Sequence, residues 1–73
     1  MDIIKLITQN MRVRRHFLKM SQEDVADKAG ITRQRYQRLE KGNTDFNITT
    51  LQKLSNALDI DIIKLLKKQT YED

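Results

Sequence analysis

Residues 21–42 read SQEDVADKAGITRQRYQRLEKG, and they divide into two short helices and a turn. Ser21 followed by Glu23 and Asp24 is a capping-box-like start. A hydroxyl serves the orphan backbone N–H groups, and negative charge sits at the positive end of the helix dipole. Val25, Ala26 and Ala29 make a small-residue face that permits close helix packing. Gly30 then ends a helix of about eight residues, because glycine tolerates the left-handed conformation that closes a helix. Ile31 is an apolar plug and Thr32 a good N-cap, and a second helix runs from Arg33 to Lys41 until Gly42 stops it. Two such helices joined by a short turn containing glycine have helix-turn-helix spacing.

The second helix carries three arginines and two glutamines between Ile31 and Leu39. At the helical angle between successive residues, Arg33, Gln34, Gln37, Arg38 and Lys41 share one arc of about 140°. Tyr36 and Leu39 fall on the opposite side with Ile31 and pack inward, while Arg35 and Glu40 sit at the edges. The arc contains Arg, Gln and Lys and no acid. A merely solvated face would mix in Glu to gain pairs one turn apart. Arg instead matches guanine O6 and N7, and Gln matches adenine N6 and N7, in the major groove.

The remaining chain is consistent with this. Its 73 residues set the expectation of a single domain spanning 1–73, near the lower end of what folds alone. Cysteine is absent, so there is neither a disulfide framework nor a thiolate metal site, and a reducing compartment fits. The start MDIIKLITQN lacks the form of a signal peptide. No apolar run approaches the roughly 20 residues of a membrane span, so the expected location is the cytoplasm. The net charge of +4 is unevenly spread: residues 1–20 carry +4, 21–30 carry −2 and 31–43 carry +3. Positive charge gathered into two segments suits a nucleic-acid partner.

With no proline, two glycines and no strict alternation, the whole chain reads as helix. The first helix is expected from about Asp2 to Leu18 on a stripe of Ile3, Ile7, Met11 and Leu18. GNTDFN is a loop with Phe46 turned inward. Asn47 caps a fourth helix with Ile48, Leu51, Leu54, Ala57 and Leu58 in period, and Asp59-Ile60-Asp61 is a tight break. Asp61 caps a fifth helix through Ile62, Ile63, Leu65 and Leu66, and the polar tail 67–73 is expected to fray.

From about Ile7 to Leu66 the sequence resembles the Cro/phage-repressor (Xre) type of helix-turn-helix protein. The marks are Arg15, Ser21-Gln22, Val25-Ala26, Gly30-Ile31-Thr32, Leu39-Glu40-Lys41-Gly42 and Leu54 to Leu58, in order over some four-fifths of the chain. The resemblance implies an all-α, five-helix lambda-repressor-like DNA-binding domain with the third helix as recognition helix. It implies that Thr32, Arg33, Gln34 and Arg38 contact bases, and that Arg35, Lys41 and Asn43 contact phosphates. Gln22 would bond a phosphate and brace the first residue of the recognition helix. Arg15 and Glu40 match a structural ion pair, and the residues agree: Glu40 is the one acid of its helix, beside the core face, and a partly buried carboxylate needs a partner. Tyr36 departs from the pattern, since a small aliphatic is usual there, so its hydroxyl is expected to reach solvent or a phosphate. Asp45 replaces a basic residue directed at the minor groove in some members. Arg14 holds an often apolar position, and it is expected to lay its stem over the core and offer its head to the DNA backbone as a further phosphate contact.

Other candidates are plainer. His16 stands without companion ligands, so no metal site or cofactor is expected, and no nucleophile–base pair or phosphate loop suggests an enzyme. Glu23, Asp24 and Asp27 complement the helix dipole, and a contact with RNA polymerase is the sharper alternative. Ile62, Ile63 and Leu66, joined by Ile3, Ile4 and Leu6, exceed the needs of one small core and suggest a homodimer interface. The function expected is a sequence-specific double-stranded DNA-binding transcriptional regulator, a dimeric repressor on a palindromic operator. The alternative is an antitoxin-like protein-binding module on the same fold.

Overall fold

The computed structural model describes residues 2–68. It contains α1 (Ile3–Phe17), α2 (Gln22–Ala29), α3 (Arg33–Lys41), α4 (Ile48–Ala57) and α5 (Ile62–Leu65), with no strand among the described residues. Of the expected frayed tail, Lys67 and Lys68 are exposed; residues 69–73 lie outside the described residues.

Every helix opens on a side-chain cap. Ser21 accepts from the Asp24 N–H and Asp24 accepts in return from the Ser21 N–H. Thr32 accepts from Arg35, Asn47 from Thr50 and Asp61 from Ile63. Asp2 caps α1 by accepting from Ile4 and Lys5, so it precedes the first turn rather than belonging to it. Each such cap stabilises its helix by about 1 kcal/mol.

The left-handed residues Gly30 (φ 72°) and Gly42 (φ 75°) close α2 and α3. Beyond each, the next N–H reaches back into the last turn, Ile31 to the Ala26 carbonyl at 3.0 Å and Asn43 to the Arg38 carbonyl at 3.2 Å. Gly42 has a second reason to be glycine. A Cβ there would stand 3.3 Å from Ile4 Cγ2, where α1 passes close to the end of α3.

The core joins Met11 of α1, Val25 of α2, Tyr36 and Leu39 of α3, Leu54 of α4 and Leu65 of α5, all essentially solvent-free. Helix α2 packs on α3 and α4, α3 also packs on α1, and α5 bridges α1 and α4. Two polar side chains of α1 secure this closure. Asn10, buried, donates its amide to the carbonyls of Leu65 and Lys67 at 2.8 Å. Arg14 donates to the carbonyls of Leu58 and Asp59 at 2.9 Å. Both answer orphan carbonyls at helix C-termini.

Some apolar expectations are corrected. Ile3 is 46% exposed and Ile48 69% exposed, although each continued a periodic stripe. The buried face of α1 instead runs through Ile7, Thr8 and Met11. Ile48 is the first residue of α4, where the chain leaves an exposed loop from which only Phe46 packs on the core. Of the expected dimer surface, Ile62 and Leu66 are partly buried against the core, and Ile63, at 56%, is open together with Ile3.

Candidate nucleic-acid interface

The outer face of α3 presents Arg33, Gln34, Arg38 and Lys41 to solvent, flanked by exposed Thr32 and Asn43. The helix-turn-helix places them because Tyr36 and Leu39, on the opposite side, are locked into the core. Thr32 does two jobs. Its oxygen caps α3, and its hydroxyl hydrogen is left to donate, as a hydroxyl both accepts and donates. Arg35 is exposed but anchored, with one guanidinium N–H bonded to Thr50 Oγ1 at 3.1 Å. That bond ties the first turn of α3 to the first turn of α4.

Beneath this face lies a buried charge pair. Arg15 grips Glu40 with two parallel bonds, Nε to Oε2 at 3.0 Å and Nη2 to Oε1 at 2.8 Å, while Nη1 donates to the Met20 carbonyl. Burial pushes the Glu40 carboxyl up. Hydrogen bonds from Arg15 and its neighbours more than offset this and hold it below the ordinary carboxylate range. The Glu40 bond in turn raises the Arg15 guanidinium. The pair extends outward: Gln22 Nε2 donates to Glu40 Oε1 at 3.2 Å, and Gln37 Nε2 donates to Gln22 Oε1 at 3.4 Å.

Tyr36 corrects an expectation. Its ring and hydroxyl are wholly buried, so the hydroxyl reaches neither solvent nor DNA. The hydroxyl lies near enough to Glu40 and Arg15 for their charges to act on it. Burial, its largest influence, raises its ionisation well above that of a free phenol. The Glu40 carboxylate, which the hydroxyl helps to hold ionised, is the acceptor within its reach, although the contact falls short of full hydrogen-bond geometry. A contact with the carboxylate that is off ideal geometry contributes little net stability, so Tyr36→Phe should change stability by less than about 1 kcal/mol in either direction, read from the midpoint of denaturant unfolding. A loss above about 1 kcal/mol would show that the hydroxyl is bonded.

Of the other expected site residues, the Arg15–Glu40 pair forms as anticipated. Gln22 braces α3, but through Glu40 and Gln37 rather than through the helix's first residue. Arg14 is corrected: its stem lies half-buried as expected, but its head is bonded to carbonyls at the end of α4 and stacked 5.1 Å from the Phe17 ring. It caps a helix and does not join the α3 face. Asp24 serves its own cap, and the Ser21 N–H holds its carboxyl below the usual range; Glu23 and Asp27 are exposed beside it. Two side chains escaped the sequence reading. Arg12 donates to the Glu40 carbonyl at 3.0 Å, closing the last turn of α3, and Asn10 holds α5 from a position 55 residues earlier. Nothing local in the sequence signals either. Among the described residues no group of His, Cys, Asp and Glu could hold a metal ion, and no described helix is long and apolar enough to cross a membrane.

Comparison with known proteins follows the same lines. The helix-turn-helix family profile matches residues 14–65. An uncharacterized HTH-type transcriptional regulator of Bacillus subtilis, YqaE, is 36% identical over 67 residues, covering 92% of this chain and 58% of that protein. The control protein C.SmaI of Serratia marcescens is 32% identical over 69 residues, covering 94% of this chain and 82% of its own. Another regulator, from Sinorhizobium fredii, is matched over only 32% of its length. The chain thus spans little more than half of the Bacillus relative and a third of the Sinorhizobium one. Among solved structures, a point mutant of the restriction-modification controller protein C.Esp1396I superposes with a TM-score of 0.82 at 18% identity, over 89% of this chain and 84% of that one.

Proposed function

This chain belongs to the helix-turn-helix family, and we propose that within it the protein is a sequence-specific, double-stranded DNA-binding regulator of transcription. The observation that carries this reading is the outer face of α3: an exposed, acid-free arc of Arg, Gln and Lys, backed by a buried Arg15–Glu40 pair. Arg33, Gln34 and Arg38 would read base edges, with the Thr32 hydroxyl beside them, and Gln22, Arg35, Lys41 and Asn43 would hold phosphates. The protein would act as a twofold dimer through Ile63 and the rims of Ile62 and Leu66. It would repress from a palindromic operator whose half-sites lie about 34 Å apart. An RNA-polymerase contact at Glu23 and Asp27 would add activation; Asp24 is already engaged by its cap. The Serratia relative, of which this chain covers 82%, favours one more specific role, that of a control protein.

Phosphate contacts make binding salt-dependent, because each neutralised phosphate releases a condensed counterion. Log affinity for duplex DNA should fall linearly with log salt. Lys41→Ala should lessen the slope by about 0.9 for each phosphate it no longer neutralises and weaken all sequences alike. Affinity insensitive to salt, or absent for any duplex, would overturn the proposal.

A further inference from the structure

Gln37 lies on the exposed arc but has no role in the proposal above. It is the i+4 neighbour of Arg33 and the i+3 neighbour of Gln34, so its side chain stands beside two of the proposed readers. Unlike them it is half-buried, and it is the outer end of a chain of bonds that begins in the core.

That chain has a direction. Glu40, ionised against Arg15, can only accept hydrogen bonds. The Gln22 amide must therefore turn its Nε2 toward Glu40, as it does at 3.2 Å. This leaves Gln22 Oε1 to face Gln37, whose Nε2 donates to it at 3.4 Å. Gln37 is left with its Oε1 and one N–H unspent, an acceptor and a donor in one plane. A phosphate presents only acceptors and would leave that Oε1 unsatisfied. The adenine edge in the major groove presents a donor, N6–H, beside an acceptor, N7, which is the complement of what Gln37 retains.

We infer that Gln37 is a further specificity-determining residue that reads adenine, and that Gln22 is its positioning residue, fixing the amide orientation that Glu40 dictates. This rests on α3 being the recognition helix, and the two can fail separately.

The experiment measures affinities, at one fixed salt concentration, for the protein's best duplex site and for its single-base variants, using the intact chain. Gln37→Ala should abolish an adenine preference at one position per half-site, a loss of roughly ten-fold in discrimination, with the salt slope unchanged. Gln37→Glu should move that preference toward cytosine, whose N4 amino group a carboxylate accepts from; a gained preference cannot come from poor folding. Gln22→Ala should relax the same position and leave preference elsewhere intact. Uniform weakening across all variants would make Gln37 a phosphate contact and overturn the inference, and so would an unchanged preference profile. If Gln22→Ala left the adenine preference intact, the positioning role would fall. If the unaltered chain showed no preferred site, the underlying DNA reading would fail first, and with it this inference.

Discussion

Arg15→Ala should cost about 3–5 kcal/mol of stability, because it leaves Glu40 buried with its charge uncompensated. The side chains of Arg15 and Glu40 are only 11% and 6% exposed, so water cannot replace the missing partner. At typical stabilities per residue, a chain of 73 residues has roughly 4–11 kcal/mol in total. The variant should therefore lose a large share of its stability, as a lowered midpoint of denaturant unfolding followed by circular dichroism would show. Replacing both partners by apolar residues of similar size, Arg15→Met with Glu40→Leu, should recover most of the loss, since the desolvation cost of both charges disappears as well. A cost below about 1 kcal/mol for Arg15→Ala would mean that the pair behaves like an exposed surface bridge. Acid should act in the same direction. The folded-state ionisation of Glu40 is depressed, so its contribution is complete above the ordinary carboxylate range and disappears as pH falls through the folded value. Glu40→Gln should flatten that acid limb.

Arg33→Ala should cost about 1–3 kcal/mol for each guanine contact on the preferred site, and relax preference at that base pair. In a twofold dimer the loss is met in both half-sites, which makes it the largest single effect expected on binding. Arg33 is exposed and makes no bond within the described residues, so stability should be untouched. Its signature differs from that of Lys41→Ala. Removing a base reader changes the ratio of affinities between sequences, whereas removing a phosphate contact changes all of them and the salt slope. Unchanged discrimination by Arg33→Ala at fixed salt would remove Arg33 from the readers.

What was legible in the sequence was local chemistry. Caps, glycine stops and the α2–α3 turn are written in neighbouring residues, and Ser21, Gly30, Thr32, Gly42, Asn47 and Asp61 all stand where their chemistry put them. The need of Glu40 for a cation was legible as well, because it is a lone acid beside a core face, and the family resemblance supplied Arg15 as the partner. Pairings between distant segments were not. Asn10 and Arg14 meet carbonyls at helix ends more than forty residues away, and any long polar side chain on α1 would read the same. Tyr36 was misplaced at its tip because a phenol needs a hydrogen-bond partner, and this one turns inward toward the Arg15–Glu40 pair rather than outward. Periodicity overreached at Ile3 and Ile48, since a stripe marks a face but not where neighbouring helices stop covering it. The direction of the Gln22–Gln37 amides needed the structure, because it is inherited from a carboxylate in the core.

The most direct test of the proposed DNA reading is selection of binding sites by the unaltered chain from random-sequence duplex DNA at physiological salt. Enrichment of a palindrome whose half-sites are centred about one helical turn apart is the result expected, with guanine and adenine at the positions facing α3. Recovery of no enriched sequence would contradict it.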